Sequence, residues 1–164
     1  MKQPERRPNR RSIRLKGYNY GDPGAYYVTI CSYDHSPVFG RIADNALVAS
    51  QWGEFAEAWW SKIPERWHPV KLDQFVVMPN HVHGILLFPD EVSATTTLGN
   101  VVNWYKGSVT KSIMKLEGNR ESQVWQRSFY EHIVRDDGDL LRIQEYITAN
   151  PYKWADDEYN SAKT

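Results

Sequence analysis

The sequence has a single cysteine, no long apolar run and no excess of charge of either sign. Cys31 is the one cysteine among 164 residues, which excludes an intrachain disulfide framework and a cysteine zinc site. No apolar stretch approaches the length of a membrane span, and no apolar segment follows the basic N-terminus as a secretory signal would require. The formal net charge is zero, so overall charge does not indicate a nucleic-acid ligand. These absences favour a cytoplasmic protein without a membrane partner.

Charge is nevertheless unevenly distributed, and it divides the chain into three parts. We predict a basic N-terminal arm over residues 1–20, a single domain over 21–155, and an acidic or polar tail over 156–164. The cations of the arm that we predict to contact DNA are Arg6, Arg7, Arg10, Arg11, Arg14 and Lys16. Such an arm can bind a phosphate backbone, but its composition fits a disordered solubilising tail equally well.

Hydrophobic periodicity predicts strands and helices in the central part, which is rich enough in apolar residues to form a core. We expect strands over 25–33, 38–42, 70–78, 81–88 and 124–134, and helices over 44–62, 98–116 and 136–149. Asp44 or Asn45 would cap the first helix, and Pro151 would disfavour helical geometry at Asn150. The order predicts an α+β, ferredoxin-like βαββαβ fold, with an antiparallel sheet, helices on one face and an additional C-terminal helix.

Two histidines flank one apolar residue in the segment 78–84, which reads MPNHVHG. Successive side chains of a strand point to opposite faces, so His81 and His83 would project from the same face. Two parallel imidazoles can hold a divalent metal ion, although two ordinary strand histidines would have the same spacing. Their position directly after the Pro79-Asn80 break, at a strand end, favours a functional site.

A second pair lies on the predicted C-terminal helix. Tyr146 and Asn150 are four residues apart, so they lie one turn apart on one face. A tyrosine can act as a covalent nucleophile, and an amide oxygen can ligate a hard cation. The alternative on spacing alone is that Tyr146 packs on the sheet and Asn150 ends the helix.

Four segments occur in one order along nearly the whole chain: 11–20 (RSIRLKGYNY), 78–84 (MPNHVHG), 124–135 (VWQRSFYEHIVR) and 145–151 (EYITANP). Together they resemble the single-tyrosine HUH transposases, and specifically the REP-associated tyrosine transposases. The resemblance implies an HUH endonuclease fold in which the C-terminal helix is catalytic. It also implies a metal-dependent endonuclease and strand transferase that cuts single-stranded DNA with REP hairpins through a 5′-phosphotyrosine intermediate.

The same resemblance assigns roles to individual residues. His81 and His83 would bind Mg²⁺ or Mn²⁺, Asn150 would be the third ligand, and Tyr146 would be the nucleophile. Related elements have a glutamine at the position of Asn150. The resemblance also implies a nucleoid-associated location and a monomer or a homodimer.

Several residues near these motifs have open roles. Tyr130 precedes Glu131-His132 and is an alternative nucleophile, but it lacks a helical asparagine partner. We expect His132 to contact DNA or to support the metal site from outside its ligands. The other DNA contacts that we predict are Trp125, Gln126 and Arg127, where an aromatic ring could stack on an unpaired base.

Two other functions fit the same residues. One is a hairpin-binding regulator without catalysis, and the other is a metal phosphodiesterase that activates water and forms no bond to DNA. A covalent adduct between protein and DNA would distinguish the transposase from both.

Overall fold

A computed structural model describes residues 21–160. Its strands are β1 (Gly24–Cys31), β2 (Gly40–Ala43), β3 (Ala46–Ala49), β4 (Lys71–Met78), β5 (His81–Phe88) and β6 (Tyr130–Ile133). Its α-helices are α1 (Gln51–Ser61), α2 (Ile63–Arg66), α3 (Leu98–Glu117) and α4 (Asp137–Ala149). Short 3-10 helices cover Tyr33–His35 and Pro151–Asp156. No helix within this range is long and apolar enough to cross a membrane.

Four of the strands form one antiparallel sheet in the order β4-β5-β1-β6. The first strand therefore lies in the middle, between the second strand of the β4–β5 hairpin and the last strand. This is the strand order that a ferredoxin-like βαββαβ chain produces, and it confirms the predicted α+β fold. Strands β2 and β3 form a separate hairpin outside this sheet.

The two central strands have two chemically different faces because side chains alternate along them. On one face, residues of β1 and β5 join the main hydrophobic core; they include Tyr26, Val28, Ile30, Val82 and Leu86. Helices α1 and α3 cover this face and pack against each other. Helix α4 covers the opposite face, where Ile143 and Ile147 pack against Tyr27 and Ile85. The histidines of β5 lie on the α4 side.

The first predicted helix begins later than we expected. Asp44 and Asn45 do not cap it but form the two-residue turn of the β2–β3 hairpin, with φ values of 51° and 61°. Two consecutive residues in the left-handed region are typical of the turns that match strand twist, and asparagine and aspartate tolerate that region best. Ser50 is the true cap, since its side chain accepts a hydrogen bond from the Gly53 N–H.

The C-terminal third differs from prediction in two places. The strand expected over 124–134 is short: only Tyr130–Ile133 is a strand, and Trp125 makes an isolated bridge with Ser32. Asn150 has helical φ and ψ values of −56° and −46° despite the following proline. The chain tightens there into the 3-10 helix Pro151–Asp156 rather than leaving helical geometry.

A glycine in β5 allows helix α1 to approach the sheet closely. An added Cβ at Gly84 would lie 2.3 Å from Cζ2 of Trp60. The indole cannot easily move, because it stacks on Phe75 at 4.5 Å and meets the Tyr105 ring edge-on at 5.3 Å. The absence of a side chain at Gly84 is therefore a packing requirement.

This contact predicts the effect of one added methyl group. Gly84→Ala should lower the free energy of unfolding by about 1–3 kcal/mol, since overpacking forces a buried ring out of place. Gly107→Ala on α3 is the matched control, because nothing lies within 4 Å of its added Cβ. That control should be neutral or stabilising by up to about 1 kcal/mol. Urea unfolding curves measure both, and equal stability of the two variants would contradict the packing argument.

Candidate active site

The two histidines lie side by side at the start of β5 and are almost completely buried. Their exposed fractions are 0% for His81 and 1% for His83. Each is paired across the sheet with a residue of β1, Cys31 opposite His81 and Thr29 opposite His83. Their Nε2 atoms are 2.9 Å apart. The sequence prediction that both imidazoles share one face is therefore correct.

Asn80 determines which nitrogen of His81 carries the proton. Its Nδ2 donates to two backbone carbonyls, at 3.0 Å to His35 and 2.5 Å to Tyr159. This orients Oδ1 toward Nδ1 of His81, at 2.8 Å. An amide oxygen only accepts, so the proton of neutral His81 is on Nδ1 and the lone pair is on Nε2.

His83 has a more adaptable partner. Its Nδ1 is 2.8 Å from the Tyr27 hydroxyl and 2.9 Å from the Thr29 hydroxyl, and these two hydroxyls are 3.1 Å apart. Because a hydroxyl both donates and accepts, this pair can serve either tautomer of the ring. Nε2 of His83 can therefore donate to Nε2 of His81, or it can present its own lone pair.

Burial keeps the site uncharged. It lowers the pKa of His81 to about 3 and the pKa of His83 well below its usual value. The same cause raises the pKa of Tyr27 above that of an ordinary phenol. At neutral pH the imidazoles are thus unprotonated bases, which is the form that ligates a metal ion.

Helix α4 brings the tyrosine and the asparagine to this pair. The Tyr146 ring lies 5.3 Å from the His83 ring, measured between centroids, and its side chain is 43% exposed. Asn150 is 3% exposed, and its Oδ1 is buried without a hydrogen-bond partner. Burial raises the pKa of Tyr146, and Asp157 and Glu158 raise it further, whereas the Asn150 side chain lowers it. The phenol is therefore protonated at neutral pH.

These donors fit a divalent cation. Two ring nitrogens with available lone pairs and an unpartnered amide oxygen make a mixed nitrogen and oxygen set. Within residues 21–160 no three His, Cys, Asp or Glu side chains converge as ligands. The buried Asn150 amide oxygen is a further candidate donor.

A cavity of about 520 Å³ opens beside the histidines and is lined by residues that include Tyr27, Thr29, His83, Tyr130 and Tyr146. The chain passes over it after α4. The ring of Tyr159 lies 4.7 Å from the His81 ring and 5.8 Å from the His35 ring. The predicted tail therefore packs onto the site at this residue.

The other residues predicted from the sequence divide into two groups. Tyr130 and His132 lie two residues apart on β6, and both line the cavity. Trp125, Gln126 and Arg127 do not line it. The Trp125 ring packs 4.8 Å from Phe39, and its Nε1 donates to the Lys106 carbonyl.

Two predictions concern residues outside the part of the chain that the structure describes. The arm cations Arg6, Arg7, Arg10, Arg11, Arg14 and Lys16 lie outside the described residues, as do residues 161–164.

Sequence reasoning missed the residues that hold the site in place. In the sequence, Pro79-Asn80 indicates a chain break and gives no sign that Asn80 orients His81. The alternation of β1 places Tyr27 and Thr29 beside the histidines only once the pairing of β1 with β5 is known. Tyr159 and Asp139 carry no recognisable signal, because their approach depends on where α4 docks.

Two solved structures have the same fold. One is a REP-associated tyrosine transposase bound to a REP hairpin, with a TM-score of 0.60, 19% sequence identity, and coverage of 87% of this chain and 74% of that one. The other is assigned as a transposase from Deinococcus radiodurans, with a TM-score of 0.51, 16% identity, and coverage of 83% and 95%. At these identities the likeness establishes the architecture.

Sequence comparison gives the family. The sequence model of the IS200-like transposases matches residues 38–150, so the chain belongs to the IS200-like transposase family and is an enzyme, a DNA transposase. A Haemophilus influenzae protein of uncharacterised function is 36% identical over 92% of both chains. A second protein of that organism, assigned as a REP-associated tyrosine transposase, is 26% identical over 79% of this chain and 71% of its own length. The resemblance found in the four segments is thereby confirmed.

The buried neutral histidines predict how stability depends on pH. In the unfolded chain each imidazole takes up a proton as the pH falls through about 6.5, whereas folded His81 does so only near pH 3. Stability is therefore complete above the unfolded pKa and falls as the pH decreases toward 3. Between pH 7 and pH 5 one such histidine should cost about 1–2 kcal/mol.

Urea unfolding at several pH values, with a chelator present, measures this effect. His81→Gln should reduce the loss of stability between pH 7 and pH 5 relative to the wild-type chain. His68→Gln is the control at an exposed histidine, and it should leave the slope unchanged. A wild-type slope retained in His81→Gln would show that burial of this imidazole does not govern the acid sensitivity.

Proposed function

We propose that the chain is a metal-dependent single-stranded DNA endonuclease and strand transferase that acts on REP hairpins through a 5′-phosphotyrosine. One observation carries the proposal: the Tyr146 phenol and the Asn150 amide share a face of α4 and meet the histidine pair of β5 beside an open cavity. A nucleophile and a set of metal donors on two packed elements can act on one phosphate.

Tyr146 supplies the covalent step. Its phenolic oxygen forms a bond to phosphorus and loses its proton, the bond from phosphorus to the 3′ oxygen breaks, and that oxygen leaves as a hydroxyl. The phosphodiester is replaced by a phosphotyrosine ester, so a second 3′-hydroxyl can reverse the reaction and join strands. Because burial raises the pKa of Tyr146, proton removal must accompany the attack.

His81, His83 and Asn150 would hold Mg²⁺ or Mn²⁺, which would polarise a phosphate and stabilise the charge that develops on it. The protein's own contribution is orientation. Asn80 and the Tyr27 and Thr29 hydroxyls fix the two rings, and such outer contacts preserve ligand geometry.

The substrate class is inferred from relatives and from access. The structural neighbour is bound to a REP hairpin, and a sequence relative is assigned to the REP-associated group. A phosphate within a regular duplex cannot easily reach a cavity walled by a sheet and a helix. We therefore expect the cut to fall in unpaired DNA beside a hairpin.

A trapped adduct tests the nucleophile. Tyr146→Phe should bind a labelled REP hairpin normally and form no covalent adduct with Mn²⁺, since it loses only the phenolic oxygen. Tyr130→Phe is the matched control, because Tyr130 lines the same cavity and is also 43% exposed. It should retain the adduct. Denaturing gels and peptide mapping of the adduct measure both.

The possible results separate the alternatives. DNA attached to Tyr130 would overturn the assignment of Tyr146. Cleavage without an adduct on any tyrosine would favour the water-activating phosphodiesterase. Binding without cleavage under all metal conditions would favour the regulator.

Metal binding can be measured without DNA. Mn²⁺ should raise the melting temperature of the wild-type chain, because a ligand that binds the folded state stabilises it. His83→Ala should abolish this shift, and Asn150→Ala should weaken it, since two imidazoles remain. His132→Ala is the control histidine in the same cavity and should keep the shift. An Mn²⁺ shift that survives His83→Ala would place the ion elsewhere.

A further inference from the structure

The same cavity contains a second group of interacting side chains, apart from the candidate metal donors. His132 on β6 and Arg142 on α4 both line the cavity. Asp139, in the first turn of α4, joins them: its Oδ2 lies 2.7 Å from Nε2 of His132, and its Oδ1 accepts a hydrogen bond from the Arg142 guanidinium. Neither Asp139 nor Arg142 has a role in the chemistry described above.

Asp139 holds the two side chains in fixed directions. Its carboxylate also accepts the Arg135 backbone N–H, so both of its oxygens are in use. These contacts hold the pKa of Asp139 well below its usual range, with the hydrogen bond from His132 as the largest cause. The Arg142 guanidinium has five N–H donors and gives only part of them to one carboxylate oxygen. The remaining N–H donors can bind another anion, because the side chain is 72% exposed.

The position along α4 relates this group to the reaction. Asn150, Tyr146 and Arg142 are successive members of one helical face, four residues and about 6 Å apart. The nucleophile therefore lies between the metal donors on one side and the arginine on the other. If a nucleic-acid strand places one phosphate at Tyr146 and runs along this face, its neighbouring phosphate comes near Arg142.

The rest of the cavity wall is compatible with a phosphate. Tyr130 contributes a hydroxyl group, which can donate to a phosphate oxygen. Carboxylates also lie near this part of the site: Glu158 lines the cavity, and Asp136 and Asp137 precede Asp139 at the start of α4. Among the described residues that line the cavity, Arg142 is the one lysine or arginine, so it is the group whose charge is matched to an anion there.

We propose that Arg142 and His132, held by Asp139, form a binding subsite for the backbone phosphate next to the scissile one. The inference rests on the proposed function, because Tyr146 defines which phosphate is scissile. Arg142 binds the neighbouring phosphate by charge-assisted hydrogen bonds. His132 lines the subsite, and Asp139 is a positioning residue that fixes both. The subsite sets the register of the strand over Tyr146.

A scan with neutral linkages tests the subsite. Each phosphate of the single-stranded flank of a REP hairpin oligonucleotide is replaced in turn by a methylphosphonate. Binding is measured with a chelator present, so that no cleavage occurs. In the wild-type chain one linkage adjacent to the cut should weaken binding roughly tenfold when neutralised. Arg142→Gln should bind the unmodified strand more weakly by a similar factor and show no further loss at that linkage.

Two variants separate binding from a structural role. Lys111→Gln removes an exposed charge on α3 and should keep the wild-type response to every linkage. Asp139→Asn should retain part of the sensitivity, since the arginine remains but is less well oriented. Arg142→Gln should also lower the salt dependence of log affinity by about 0.7, the value for one phosphate contact with a single strand.

The outcomes of the scan are distinct from those of the adduct experiment. If Arg142→Gln responds to each neutral linkage as the wild-type chain does, or if no linkage next to the cut matters, the subsite is wrong and the group only stabilises the start of α4. If the scan gives the expected pattern but no tyrosine adduct forms, the subsite holds and the phosphotyrosine mechanism fails.

Discussion

The arrangement of the candidate active site depends on the hydrogen bond between Asn80 and His81. Two carbonyl acceptors fix the Asn80 amide, the amide oxygen fixes the proton of His81 on Nδ1, and the lone pair of Nε2 is thereby directed at His83. Both acceptors come from distant parts of the chain, His35 before the β2–β3 hairpin and Tyr159 after α4. One short side chain thus connects the histidine pair to segments near both ends of the described domain.

The site combines an uncharged half with a charged half. The histidines and Tyr27 are buried and neutral at physiological pH, so a cation bound there would meet lone pairs and little competing charge. In the charged half, Arg142 and His132 share the carboxylate of Asp139. Tyr146 lies between these halves on the one face of α4 that reaches both. The position of α4 on the sheet therefore determines whether the groups of both halves could contact one bound DNA strand.

The parts of the fold that the sequence predicts correctly are those set by local pattern. Alternation in the 81–88 segment placed His81 and His83 on one face, and the one-turn spacing of Tyr146 and Asn150 placed them on one helical face. The errors arose where tertiary contacts prevail over local signals. Residues 44–45 resemble a helix cap but form a hairpin turn, and most of the predicted strand before Tyr130 is a loop. The contacts of Tyr159 and Asp139 depend on long-range docking, which no local spacing reveals.

Strand β5 supplies the candidate active site with its imidazoles and the core face with Val82, Gly84 and Leu86, in strict alternation. A shift of the strand by one residue would exchange these faces, placing imidazoles under Trp60 and apolar groups beside Tyr146. This has an evolutionary consequence. An insertion or deletion of a single residue within β5 would disturb the core and displace the two imidazoles together, so natural selection acts on both at once.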